Sequence, residues 1–151
     1  MKLALAVLLA AAPALADRPL HGSIGAGPSL ALTGARGDHA RYDIAFDFKP
    51  RSRYGITLGW RQVDADRRGL AVAGLVFEGA AARPRLVLDL HVDAGIDLDD
   101  ILPLAGAGVR ATLMIKGPLA IVFDLAGYLV LDDIDNSRLQ LASSALLALK
   151  F

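Results

Sequence analysis

Asp89, His91 and Asp93 place two carboxylates and an imidazole at intervals of two residues. In an extended strand such residues share one face, with roughly 7 Å between successive side chains. Acids and a histidine arranged in this way could ligate a metal ion or exchange protons with a substrate. The alternative is a structural network in which the acids neutralise buried cations. We favour the network, because an unpaired buried charge is costly.

The segment that carries these three residues has the pattern of a long amphipathic strand. Residues 85–98 read RLVLDLHVDAGIDL, and every second residue from Leu86 to Leu98 is apolar. A period of two predicts a strand with one apolar and one polar face. The segment is longer than the usual strand of about five or six residues, and it suits a tilted crossing of a bilayer, which takes about 9–11 residues.

Seven further segments alternate in the same way. They cover residues 20–32, 41–49, 53–61, 69–79, 106–116, 119–131 and 138–151. The segment 69–79 is apolar on both faces, so a helix remains an alternative there. The connections are too short for crossover helices, which forces neighbouring strands to be antiparallel. We therefore predict an all-β fold, an eight-stranded antiparallel up-and-down β-barrel that closes on itself and has no free edge.

Residues 1–16, MKLALAVLLAAAPALA, have the pattern of a secretory signal peptide. Lys2 is followed by an apolar run and by small residues before Asp17. A membrane anchor is the alternative, but the run is short and Pro13 interrupts it. The pattern predicts cleavage after Ala16 and a single domain over 17–151. No later stretch has the 18 or more uncharged apolar residues of a membrane helix, although 54% of the chain is hydrophobic.

The composition also narrows the classes of function. The chain contains no cysteine, which excludes disulfides and thiolate metal sites. Basic and acidic side chains balance at 16 each, so the basic footprint of a nucleic-acid-binding protein is absent. We expect no cofactor, no metal and no nucleic-acid partner.

The direction of the apolar face distinguishes two kinds of barrel. The apolar face carries Leu, Ile, Phe and Trp, whereas the other face combines charges with Gly, Ala, Ser and Thr. Eight strands enclose an interior just wide enough for side chains, which suits the mixed polar face. Aromatic residues lie near strand ends, as at a membrane interface: Tyr42, Phe48, Tyr54, Trp60 and Phe151. We predict that the apolar face meets lipid; the alternative is a soluble periplasmic lipid-binding barrel with that face inside.

The last residues, Leu147-Ala148-Leu149-Lys150-Phe151, resemble the C-terminal signal of Gram-negative outer-membrane proteins. Together with the signal peptide and eight strands, residues 17–151 resemble small outer-membrane barrels of the OmpA/OmpX type. The resemblance implies an integral monomer in the cell outer membrane, surrounded by outer-membrane lipids, with a structural or envelope-integrity role. It also implies that the barrel-assembly machinery reads Leu147, Leu149 and Phe151. The predicted loops 34–40, 62–68, 99–103 and 132–137 are shorter than in better-known members, so the resemblance does not extend to adhesion.

A tight turn after Leu98 would pair inward residues of the flanking strands whose numbers sum to about 201. Arg110 would then lie opposite His91 and diagonal to Asp89 and Asp93. The turn at 116–118 brings Arg110 near Asp124, and the same reasoning places Arg61 and Arg41 near Asp43, and Arg53 near Asp47. The predicted structural network in the lumen, the interior of the barrel, consists of Asp43, Arg61, Asp89, His91, Asp93, Arg110 and Asp124.

A lipid A-modifying enzyme is a second alternative. Lipid A deacylases, a group of outer-membrane barrels, use a His and a Ser two residues apart on one strand. The matching spot here is His91-Val92-Asp93, which has no Ser. His39 beside Asp38, with Ser137 in another loop, imitates a palmitoyl-transferring arrangement, but such a trio is common by chance. We therefore assign no catalytic residue.

Overall fold

A computed structural model describes residues 22–32, 41–49, 54–62, 69–79, 85–132 and 137–151. They form eight strands with the bounds β1 (Gly22–Ala31), β2 (Arg41–Phe48), β3 (Tyr54–Arg61), β4 (Leu70–Glu78), β5 (Leu86–Asp97), β6 (Leu102–Lys116), β7 (Leu119–Val130) and β8 (Arg138–Lys150). Each strand pairs with its neighbours in chain order, and β1 pairs with β8. The predicted closed eight-stranded antiparallel barrel is therefore confirmed.

Some sequence predictions fall outside the described residues. These are the signal peptide over 1–16, the loop 34–40 with Asp38 and His39, most of the loops 62–68 and 132–137, and Arg53 with its expected proximity to Asp47. The side chain of Arg41 is likewise outside the description. The described residues contain no helix with the length and hydropathy needed to span a bilayer.

Residues 69–79, for which the sequence also allowed a helix, form a strand. β4 pairs with β3 from Leu70 to Phe77 and with β5 from Leu70 to Glu78. It is apolar on both faces because its inward residues Leu70 and Val76 are fully buried in the lumen. The helix alternative for 69–79 is therefore wrong.

The connection between β5 and β6 is shorter than the predicted loop 99–103. β6 begins at Leu102, so its second residue, Pro103, already pairs with Ile96. Proline is tolerated at the start of a strand, which explains why it does not mark a loop here. The turn occupies residues 98–101, and the Asp97 carboxylate stabilises it by accepting a hydrogen bond from the Asp99 N–H at 3.0 Å.

This turn sets a register that differs from the predicted one. Arg110 lies opposite Asp89, and His91 lies opposite Gly108, so the partners of β5 and β6 are displaced by two residues. The expectation that Arg110 faces His91 directly was wrong. The reason is that the ladder already starts at Asp97 and Leu102, on either side of a four-residue turn.

The lumen is filled by side chains in layers. One apolar cluster, formed by Leu70, Leu104, Ala126, Tyr128 and Val130, lies near the end that carries the 98–101 turn. A second, formed by Ala120, Val122, Leu146 and Ala148, lies nearer the end that carries the 117–118 turn. The charged side chains occupy the space between and beside these clusters.

Candidate functional site

The two-residue period of the strands directs the seven predicted network residues into the lumen. All of them are buried, with at most 7% of each residue exposed: Asp43, Arg61, Asp89, His91, Asp93, Arg110 and Asp124. They come from β2, β3, β5, β6 and β7, and the contacts of Asp124 with Arg61 and with His91 join strands that are not neighbours. The structure thus brings these side chains together from around the barrel.

Asp124 on β7 is the centre of the network. Arg61 Nη2 donates a hydrogen bond to its Oδ1 at 3.0 Å, and Arg110 Nε donates to its Oδ2 at 2.8 Å. His91 Nε2 lies 3.3 Å from the same Oδ2. One carboxylate therefore faces three nitrogen-bearing side chains from three other strands. Such multiple pairing offsets the cost of burying the charges.

Each arginine also contacts a second carboxylate. Arg61 Nε lies 2.7 Å from Asp43 Oδ2, and Arg110 Nη1 donates to Asp47 Oδ1 at 2.5 Å. The Arg61 guanidinium also lies over the Tyr128 ring, 5.3 Å from its centroid. The two arginines therefore connect β2 to β7 across the lumen.

His91 lies between two carboxylates. Its Nδ1 is 2.7 Å from Asp93 Oδ2, which also accepts a hydrogen bond from the Tyr128 hydroxyl at 3.2 Å. Asp124 Oδ2 lies near Nε2, so both ring nitrogens face carboxylate oxygens, and only Nδ1 is hydrogen-bonded among the described residues. Gly108 opposite provides the space, because a Cβ there would overlap the imidazole ring.

Asp89 is separate from this centre. Its Oδ1 lies 2.6 Å from Lys49 Nζ, near the end of the lumen where β2 ends. Although Arg110 is its partner in the ladder, the Arg110 side chain contacts Asp47 and Asp124 instead. The row Asp89, His91 and Asp93 therefore does not converge on one point.

Sequence reasoning missed three members of the network as site residues: Asp47, Lys49 and Tyr128. A signal for them was present, because each lies on the polar or mixed face of its strand in the two-residue alternation. Which of the inward residues touch one another depends on the register and on side-chain reach across the lumen.

The cavities lined by the described network residues are small. A cavity of about 20 Å³ is lined by Asp43, Thr57, Arg61, Asp93 and other residues, and one of about 30 Å³ by Lys49, Asp89 and Lys150 among others. Cavities of this size hold one or two water molecules. In the described part of the chain, no group of three His, Asp or Glu side chains has the arrangement of a metal site. The arrangement is suited to linking strands.

The three C-terminal residues singled out from the sequence lie where the barrel closes. Gly22 and Phe151 exchange both backbone hydrogen bonds, at 2.7 and 3.0 Å. The Phe151 ring lies 6.1 Å from that of Phe46. Leu147 is 52% exposed on the outer face, whereas Leu149 is only 8% exposed. These residues therefore form part of the outer wall beside the closure.

The barrel is similar to a solved structure described as "De novo design of transmembrane beta-barrels", with a TM-score of 0.55 and 14% sequence identity. The likeness covers 89% of this chain and 98% of that chain, and it supports the fold. No protein-family model and no curated protein sequence matches the chain.

Proposed function

We propose that this chain is an integral outer-membrane protein whose apolar outer wall lies in lipid and whose lumen is closed by charged side chains. The observation that carries the proposal is the outer face. Large apolar side chains point outward from the wall, and many are about half exposed, such as Leu58 at 47%, Leu90 at 55% and Phe123 at 52%. An apolar surface of this extent is unfavourable in water and is the expected surface in a bilayer.

Two further observations support the membrane location. Exposed aromatic side chains lie at strand ends, where membrane interfaces favour them: Tyr42, Phe48, Tyr54 and Phe151. A closed sheet has no edge strand whose row of backbone groups would lie unpaired in hydrocarbon. The likeness to a designed transmembrane barrel agrees with this proposal.

The filled lumen argues against a soluble lipid carrier. A carrier of this fold would bind its ligand inside, in a space lined by apolar side chains. Here the charged network occupies the middle of the lumen, and the cavities that its described side chains line measure about 20 and 30 Å³. The apolar side chains that would line a carrier point outward instead.

The placement of His91 gives no support to an enzyme that modifies lipid A. A lipid substrate would approach from the outer face, but His91 points into the lumen and is 2% exposed. Both of its ring nitrogens already face carboxylates. We propose a structural or envelope-integrity role instead, exercised by a monomer.

The proposal includes a route to the membrane. The signal peptide over 1–16 would direct export, and the barrel-assembly machinery would recognise Leu147, Leu149 and Phe151. Their position at the β1–β8 closure supports this, because recognition would then involve the strand that completes the barrel.

Heat modifiability tests the proposal. The protein is folded into vesicles of outer-membrane phospholipids and run in SDS with and without boiling. We expect unboiled protein to migrate at a different apparent mass, and the protein in cells to require detergent for extraction. Release of folded protein with the soluble periplasmic fraction would overturn the proposal and favour the carrier. A change in the lipid A mass spectrum on expression would favour the enzyme.

A further inference from the structure

The ladder that closes the barrel is interrupted halfway along. β1 and β8 pair from Ser23 to Ala26, and the pairing resumes at Ser29, but Gly27 and Pro28 have no partner in β8. On its other side β1 pairs with β2 without a gap, from Gly22 to Ser29. The interruption is therefore confined to the seam between the first and last strands.

Pro28 accounts for the interruption. Because Gly22 and Phe151 exchange two hydrogen bonds, every second pair along this seam is a hydrogen-bonded pair, and Pro28 with Ala145 would be one. Proline has no N–H to donate. The Ala145 carbonyl oxygen instead lies close to Gly27, where a Cβ would overlap it.

A groove lies on the outer wall beside this gap. Its volume is about 570 Å³, and it extends from β1 across β8, β7 and β6 to β5. Small outward residues of β8, Ser143 and Ala145, form its floor beside the seam. Larger side chains flank this floor, Leu30 on β1 and Phe123 and Leu125 on β7, which are 60%, 52% and 47% exposed. Ala111 on β6 lies on the other side of Phe123. The groove is thus a depression within the apolar face and is open to the outside.

We infer that this groove binds one acyl chain of a membrane lipid. Its volume lies in the range of about 300–1,000 Å³ that is typical of small-ligand sites. Its outward lining is apolar apart from the Ser143 hydroxyl, whereas the charged lining residues Arg110 and Asp124 point into the lumen and pair with each other. A hydrocarbon chain matches this uncharged lining.

The inference rests on the proposed membrane location. The groove is continuous with the apolar face that meets lipid in that proposal, so hydrocarbon is the medium that reaches it. A second copy of the chain would be the other occupant, with its own outer wall seated in the groove.

Native mass spectrometry of the detergent-purified barrel tests the site. The protein is folded in vesicles of dipalmitoyl phosphatidylethanolamine, extracted in mild detergent and examined for lipid that survives removal of the micelle. We expect one retained lipid on the wild-type chain. Ala145→Phe fills the floor of the groove and should abolish that retention, and Ser143→Leu should reduce it.

Ala94→Phe is the matched control. Ala94 is an exposed, outward residue on β5 that lies outside the groove, so this variant should retain the lipid. Heat modifiability of each variant shows that the barrel has formed. The Ser143→Leu variant keeps the test valid if Ala145→Phe does not fold.

Three outcomes would overturn the inference. The first is that a folded wild-type barrel retains no lipid. The second is that the wild type, Ala145→Phe and Ser143→Leu retain lipid equally. The third is that the wild type is a dimer, which Ala145→Phe converts to a monomer. The last outcome would assign the groove to a second copy. A wild-type chain that shows no heat modifiability would instead contradict the membrane location itself, so the two failures are distinguishable.

Discussion

The two faces of β5 are built for opposite surroundings. Outward residues such as Leu90 and Val92 are 55% and 47% exposed, whereas the inward residues Asp89, His91 and Asp93 are at most 6% exposed. On this strand the charged side chains are buried and the apolar side chains are exposed, which is the reverse of the pattern in a water-soluble sheet. The inner side chains of β5 have specific partners across the lumen, whereas its outer side chains form an exposed apolar surface.

Among the substitutions considered, removal of the Asp124 carboxylate should lower the stability of the barrel most. Asp124→Ala leaves Arg61, Arg110 and His91 without their shared carboxylate. Breaking a buried charge network in this way should lower the free energy of unfolding by about 3–5 kcal/mol. Urea titration in vesicles, followed by fluorescence of the single tryptophan, Trp60, measures the loss.

Asp132→Ala is its control, because Asp132 is exposed after the end of β7. It should change the free energy of unfolding by no more than about 0.5 kcal/mol. Equal effects of the two substitutions would contradict the assignment of Asp124 as the centre of the network.

A charge on the outer face should produce the next largest effect. Leu90→Arg places a cation at mid-strand, where the outer face would lie in hydrocarbon, and should cost about 2–4 kcal/mol. Leu139→Arg introduces the same charge near the start of β8, close to the interface, where the cost is about 0–1 kcal/mol. The same urea titration compares them, and similar costs at both positions would argue against lipid on this face.

Substitutions at the adjacent residues His91 and Val92 compare how much the inner and the outer face of β5 contribute to stability. His91→Phe keeps an aromatic ring but removes the ring nitrogens that face Asp93 and Asp124, and should cost about 1–3 kcal/mol. Val92→Phe, on the opposite face, should change stability by no more than about 0.5 kcal/mol. The contrast between inner and outer face fails if Val92→Phe is the more destabilising of the two.

The smallest expected effect is a gain at the seam. Pro28→Val supplies an N–H that can donate to Ala145, and one added hydrogen bond should raise the free energy of unfolding by about 0.5–1.5 kcal/mol. Ala26→Val, also outward on β1, controls for strand propensity and should give a smaller gain. If Pro28→Val leaves the stability unchanged or lowers it, the missing N–H of Pro28 is not the cause of the gap in the β1–β8 ladder.

Much of the wall was predictable from the sequence. Alternation over eight segments, broken by Gly, Pro and charged residues, predicts which residues point inward and that the sheet closes. The alternation was not sufficient at two places. Pro103 resembles a loop residue but belongs to β6, and residues 69–79 are apolar on both faces, so that the sequence also allowed a helix there. In each case pairing with neighbouring strands decided the structure.

The sequence by itself determined the face of each residue, because consecutive side chains of a strand must point to opposite sides. Only the tertiary structure decided the partners. A displacement of two residues between β5 and β6 keeps every side chain on its face, so alternation cannot distinguish Arg110 opposite His91 from Arg110 opposite Asp89. Contacts across the lumen, such as Arg61 with Asp124, depend further on closure and side-chain reach. The sequence therefore places Asp89, His91 and Asp93 in the interior. It does not specify that Asp89 contacts Lys49, that His91 contacts Asp124 or that Asp93 contacts Tyr128.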